Sequence, residues 1–362
     1  MIVMTGLHGN EPAGGLAAER VLARLERESA TIQGSLVVLS GNLKALAEGS
    51  RFLDRDLNRQ WTPEKVAALD TRHDAEADEQ REVLAAIREA VNQNDGPIYF
   101  LDLHTTSAVG PPFVTVGDTL RNREFARSFP LPLILGLEEQ VDGALLEYLN
   151  NFGLITMGVE AGQHDCDGSV DRLEALLWLA LRRTGLLPPD AAADRGPIEM
   201  LREASRGVPP VMEVRYRHAI EEQDDFEMLP GFDNFLAIAR DQVVANDRHG
   251  PVRAPERGLM LLPLYQGKGE DGFFVARPVR EFWLGISGFL RRRRLGTLLR
   301  WLPGVHRNGD QGDGLTVDTR IARWYPLEVF HLFGYRKIRQ IGDTLVVSRR
   351  TFDFDEQKKT RL

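Results

Sequence analysis

Apolar and polar positions alternate in blocks over the first half of the chain. IVMTGL (2–7) is a short apolar run with the pattern of a buried strand. PAGGLAAERVLARLERESA (12–30) repeats its apolar residues at helical spacing behind Pro12, a residue suited to a first helical turn. SLVVLSGN (35–42) predicts a second strand, and the charged stretch from Thr62 to Asn92 predicts helix. PIYFLDLH (97–104), introduced by the turn residues Asn94, Asp95, Gly96 and Pro97, predicts a third strand. PFVTVG (112–117) and LITMGVE (154–160) predict two more, with helices near 141–152 and over SVDRLEALLWLALRRTG (169–185). Strand alternating with helix predicts an α/β sheet covered by helices on both faces.

The pattern changes at LLPPDAAADRGP (186–197), which reads as a linker. VPPVMEVRYRH (208–218) predicts a strand, and turn residues are frequent as far as residue 280. Three regions are therefore expected: an α/β domain over 1–190, a smaller β-rich domain over 205–280, and an extension over 281–362. Within the extension, EFWLGISGFLRRRRLGTLLRWLPGVHR (281–307) mixes bulky apolar residues with the run Arg291–Arg294. It reads as a helical arm packed on the body or on a second subunit. The competing reading is a basic amphipathic segment that touches a membrane or an acidic partner. Consecutive arginines spread around a helix instead of lining one face, which favours the packed arm.

Composition narrows the function. With 362 residues, 43% hydrophobic and 27% charged, the chain has the balance of a globular protein with a sizeable core. A formal net charge of −8 argues against nucleic-acid binding, which needs a basic face. The only cysteine, Cys166, allows no internal disulfide. No apolar stretch reaches the roughly 18 residues of a membrane span, and no basic region leads into a cleavable apolar segment. A cytoplasmic protein is expected, and a homo-oligomer is compatible with all of this.

The chemistry starts at GLHGNEPAG (6–14), where His8 and Glu11 stand three residues apart between a strand and a helix. Imidazole nitrogen and carboxylate oxygen are zinc ligands, and a hydrolytic zinc site takes three protein ligands plus water. His104, in DLHTT, ends another strand and is the candidate third ligand, with Asp102 on the same strand face to orient an imidazole. Glu160, in GVEAGQH, ends an apolar strand and is the candidate proton-handling group. RFLDRDLNR (51–59) adds two arginines and an asparagine in a turn-rich loop, suited to carboxylates or a developing oxyanion.

Together, H-G-N-E, R-x-x-D-x-D-L-N-R, D-L-H-T-T and V-E-x-G, in that order over residues 6–163, resemble the succinylglutamate desuccinylase/aspartoacylase family, a branch of the zinc carboxypeptidase-like hydrolases. The stretch reaching YQGKGEDGFF (265–274) is similar to that family's smaller C-terminal domain. The resemblance implies a mixed, doubly wound sheet of the zinc carboxypeptidase type with a β-rich C-terminal domain, here followed by a helical extension. It implies one zinc ion held by His8, Glu11 and His104, with Glu160 as general acid/base. Arg51 would polarise the scissile carbonyl, Asn58 and Arg59 would hold a substrate carboxylate, and Tyr265 would reach the site from the C-terminal domain.

Two features depart from the family pattern. Asn150, next to Asn151, stands where aspartoacylases have an arginine ten residues before the glutamate base. The first strand also comes at the very start of the chain, so a smaller sheet or an upstream start is expected. His164 is a further candidate for the pocket. The expected function is a zinc-dependent amidohydrolase that deacylates a small N-acyl amino acid or related amide. The alternatives are a zinc carboxypeptidase acting on a short peptide and a non-catalytic binding protein on a hydrolase scaffold.

Overall fold

A computed structural model describes residues 1–188, 195–307, 314–321 and 327–353. Half of the expected linker and several stretches of the extension lie outside these residues. The centre is a ten-stranded mixed sheet in the order β2-β1-β3-β6-β4-β5-β7-β13-β12-β9. Its strands are β1 (Ile2–Thr5), β2 (Val37–Ser40), β3 (Tyr99–Thr106), β4 (Phe113–Thr115), β5 (Leu133–Leu135), β6 (Ile155–Gln163) and β7 (Val211–Ala219), joined by β9 (Ala237–Ile238), β12 (Gly258–Leu261) and β13 (Asp271–Pro278). β2, β1, β3 and β6 run parallel; β4 lies antiparallel to β6. β7, β13, β12 and β9 continue the same sheet antiparallel to one another.

The pleat sorts the side chains into two layers. Val3, Leu101, Leu103, Met157 and Val159 face the core under α1 (Ala13–Arg27) and α7 (Asp167–Arg183). Ile2, Met4 and Phe100 face the opposite core under α4 (Ala75–Asn92). Asp102 and His104 alternate with Leu101 and Leu103, and Glu160 alternates with Val159 and Ala161. All three therefore point to the α4 side. The predicted helix over 62–92 is interrupted: α3 (Pro63–Ala67) ends early, and Asp74 caps α4 afresh by accepting from the Ala77 N–H. Short helices α2 (Leu43–Glu48), α5 (Leu120–Ala126) and α6 (Leu145–Asn150) line the loops, and α8 (Gly196–Ala204) packs against α7.

β8 (Glu227–Met228), β10 (Val243–Asp247) and β11 (Gly250–Arg253) form a separate antiparallel sheet with its own apolar core. The extension starts as expected with a helix, α9 (Glu281–Arg292). Beyond it comes a feature the sequence pattern did not disclose. β14 (Val305–Arg307), β15 (Leu315–Asp318), β16 (Tyr335–Ile341) and β17 (Thr344–Arg349) make a four-stranded antiparallel sheet, with α10 (Leu327–Leu332) beside it. The arginine run is split by burial. Arg291 is 1% exposed and pairs with Asp353 and Asp118, while Arg292–Arg294 stay in solvent. Among the described residues no helix is long and apolar enough to cross a membrane.

Candidate active site

The site forms where β1, β3 and β6 end on the α4 side of the sheet. After β1 the chain turns sharply through Gly6, at φ +64°. Gly9 then packs so closely that a Cβ there would lie 2.2 Å from the Ala45 carbonyl carbon. Its N–H donates to the Arg51 carbonyl at 3.1 Å, which ties the arginine loop to His8. That loop is fixed from below by Glu76 at the start of α4, whose carboxylate accepts from the N–H groups of Leu53, Asp54 and Arg55.

His8, Glu11 and His104 come together as expected, all buried, with one donor atom from each within 4.8 Å of the others. Nδ1 of His8 lies 2.8 Å from Glu11 Oε1, and Nδ1 of His104 lies 3.0 Å from Glu11 Oε2. The Thr105 N–H also donates to Oε2, at 3.1 Å. Both imidazoles thus turn the same ring nitrogen inward. Outside them stand carboxylates: Asp102 Oδ2 is 2.9 Å from His104 Nε2, without hydrogen-bond alignment, and Asp56 Oδ1 is 3.4 Å from His8 Nε2. Outer carboxylates of this kind fix the tautomer that leaves Nδ1 free to ligate.

Electrostatics agree with a cation site. Burial would raise the Glu11 carboxyl, but the two imidazoles hold it well below the usual range. Burial would lower His104, but Asp102 and Glu11 hold it well above the histidine range. The cluster therefore attracts positive charge, and two nitrogens with one carboxylate form a donor set that suits a divalent metal such as zinc.

The register pairs His104 with Glu160 on the neighbouring strand. Burial pushes the Glu160 carboxyl up to about 8, with Glu11 and Asp102 adding to the effect and His104 and Arg51 opposing it. Among the described residues its Oε2 has no hydrogen-bond partner. Arg51 donates through Nε and Nη2 to Asp56 Oδ2, at 3.2 and 3.0 Å, and Nη2 also lies 2.9 Å from His8 Nε2. Asp56 stays well below the usual range because Arg51 and His8 outweigh its burial.

Asn58 and Arg59 line the same cleft. Asn58 Oδ1 accepts from the Leu145 N–H, and Arg59 pairs with Asp271 of β13; among the described residues its buried Nε makes no hydrogen bond, with Glu270 Oε2 4.0 Å away. Tyr265 goes elsewhere. Its hydroxyl donates to the Leu229 carbonyl and accepts from the Phe232 N–H, and the residue is not among those lining the cleft. The neighbouring Gln266 takes that place, with Oε1 2.7 Å from Asn10 Nδ2 and 3.3 Å from His164 Nε2. His164 does line the cleft, held 2.7 Å from the Thr105 hydroxyl, and burial lowers its pKa. Sequence reasoning passed over Asp56, which lay inside the quoted arginine motif. It also passed over Gln266, Glu138 and Glu147, for which no local spacing gave a signal.

The fold and the buried His-Glu-His cluster define an α/β protein with a candidate metal site. Residues 1–176 match the profile of the succinylglutamate desuccinylase/aspartoacylase catalytic domain. That match takes in the N-terminal part of the chain, just under half of its 362 residues. A stretch of 124 residues is 34% identical to the N-acyl-aromatic-L-amino acid amidohydrolase (carboxylate-forming) of Xenopus tropicalis; it spans 32% of this chain and 36% of that protein. The fold is similar to the succinylglutamate desuccinylase of Vibrio cholerae, with TM-score 0.57, 17% identity, and 77% of this chain and 81% of that one covered. It is likewise similar to a succinylglutamate desuccinylase/aspartoacylase from Rhodobacter sphaeroides, with TM-score 0.57, 17% identity, and 78% and 86% covered.

Proposed function

We propose that the protein is a zinc-dependent amidohydrolase that releases the acyl group from a small N-acyl amino acid. The observation that carries this reading is the convergence of His8, Glu11 and His104, with Glu160 beside them in register. Zinc held by His8, Glu11 and His104 would supply Lewis-acid polarisation and make a nearby water acidic enough to react near neutral pH. Glu160 takes the proton from that water and later delivers it to the departing amine. Arg51, oriented by Asp56, donates to the carbonyl oxygen as negative charge grows there; one such donor is often worth about 3–4 kcal/mol. The unused N–H of Arg59, next to Asn58, faces the substrate carboxylate.

Residues Leu262–Leu264, Gln266 and Gly269–Asp271 cover one side of the cleft, which supports a small substrate over an extended peptide. The relative from Xenopus tropicalis, by its name an amidohydrolase of N-acyl amino acids, supports the same reaction class. The test is hydrolysis of a panel of N-acyl amino acids and dipeptides, with and without a chelator, followed by product analysis. Acyl amino acids cleaved only with metal, and not by E160Q, are the expected result. Cleavage indifferent to chelation and to E160Q would sink the reading.

A further inference from the structure

The cleft does not stop at the metal-binding cluster. From Glu160 it runs back along the sheet past Gly158 and Thr115 to the Val116–Gly117 turn, where Leu146, Glu138 and Glu147 wall its end. Gly158 precedes Glu160 by two residues on β6, about 7 Å along the strand. Two glycines let its walls approach closely. A Cβ on Gly158 would stand 2.6 Å from Thr115 Oγ1, and one on Gly117 would stand 3.4 Å from Glu147 Oε2. Asn150, where related aspartoacylases carry an arginine, is buried under the same turn and accepts from Asn122 Nδ2 at 2.9 Å. The lining of the arm thus ends in carboxylates, each paired on its other side with an arginine.

Each of these carboxylates is half satisfied. Glu138 Oε1 accepts from the Asp118 N–H at 3.1 Å and lies 2.8 Å from Arg350 Nη2. Glu147 Oε1 pairs with Arg336 and accepts from Asn151 Nδ2. The second oxygens, Oε2 of Glu138 and Oε2 of Glu147, are buried with no hydrogen-bond partner among the described residues, and the Glu138 side chain is only 7% exposed. A buried acceptor left unmade carries its full desolvation cost, so a donor from outside the chain is the natural completion. Burial pushes the Glu138 carboxyl up, with Arg350 opposing and Glu139 and Asp118 reinforcing, which leaves room for one more positive neighbour.

We infer that the two free oxygens receive a cationic group of the substrate, so that the preferred substrates are N-acyl amino acids whose side chain ends in an ammonium. An ammonium offers three N–H donors and no acceptor, which matches a pocket end made of acceptors. This rests on the amidohydrolase reading and names the substrate class of the same cleft.

The test compares kcat/KM of the zinc-loaded full chain on N-acetylornithine and N-acetyllysine with that on their uncharged isosteres, N-acetylnorvaline and N-acetylnorleucine, and on N-acetylaspartate and N-acetylphenylalanine. The basic substrates should lead their isosteres by about tenfold or more, the factor expected for about 1.4 kcal/mol of charge recognition. In E147Q, and separately in E138Q, that ratio should fall towards one, chiefly through KM. A preference for the acidic, aromatic or uncharged compounds overturns the inference and leaves the amidohydrolase reading standing. If none of the compounds is hydrolysed, the amidohydrolase reading fails instead, and calorimetry with free ornithine and norvaline decides the inference. Tighter binding of ornithine, lost in E147Q, supports it; equal binding overturns it.

Discussion

Glu11 and Glu160 share one buried cluster, yet their surroundings drive the two carboxyls in opposite directions. Two imidazoles hold Glu11 down, and burial beside Glu11 and Asp102 pushes Glu160 up to about 8. Carboxylates separated in this way divide the labour of a hydrolytic site, one fit to ligate and one fit to carry a proton. E160Q should lower kcat by about 10²–10⁴-fold, the usual worth of a positioned acid/base, with bound zinc unchanged by atomic absorption. In the proposed reaction Glu160 acts first as a base and must then be ionised, so kcat/KM should fall on the acid side of its titration. A bound cation favours the ionised form, which puts this limb below about 8, the value the surroundings of Glu160 give without one. A pH profile of the wild type beside E160Q checks both statements. Removing Asp56 by D56N leaves Arg51 without its fork partner, and should cost activity through kcat more than through KM.

At the scale of elements, much of the sheet was legible. β1, β2, β3, β4, β6 and β7 follow apolar runs bounded by turn residues, and α1, α4 and α7 follow helical periodicity. His8, Glu11, His104 and Glu160 were legible because a strand end projects its residues predictably. What escaped was set by tertiary contact. β5 is three buried residues, Leu133–Leu135, too short for any pattern. Glu138 follows β5 and Glu147 sits on α6, and only the folded sheet carries them to one place. The role of Glu76 escaped for the same reason, since its acceptors serve N–H groups over 20 residues earlier. E76A should release the 51–56 loop and cost about 1–3 kcal/mol by leaving part-buried N–H groups unpaired. Urea unfolding would measure the stability, and faster hydrogen exchange at residues 53–55 would localise it. G9A should be worse, because the Ala45 and Ser50 carbonyls already occupy the space of a Cβ. Loss of zinc binding in G9A is the readout.

At the scale of the molecule, the extension is fastened to the main sheet by buried charge. His331 of α10 lies between Glu139 and Glu213, at 3.0 and 3.1 Å, and Arg350 pairs with Glu138 and Glu139. Burial alone would lower His331, but its bonds to Glu139 and Glu213 raise it to about 10. A group whose folded pKa lies above its unfolded value of about 6.5 stabilises fully below that value. The contribution is lost as pH rises from there through 10. Melting temperature should therefore decline over this window, and H331N should flatten the decline while lowering stability at pH 6.

The main sheet runs unbroken from β2 to β9, through the strands that carry His104 and Glu160 and on to β13, which supplies Asp271 to Arg59. A slab stitched by backbone hydrogen bonds has no hinge between the wall holding the reactive groups and the wall facing them. Reactants must come and go past the loops at the rim, so traffic through the mouth, and not jaw-like opening of two lobes, would set which molecules are admitted and how quickly products leave.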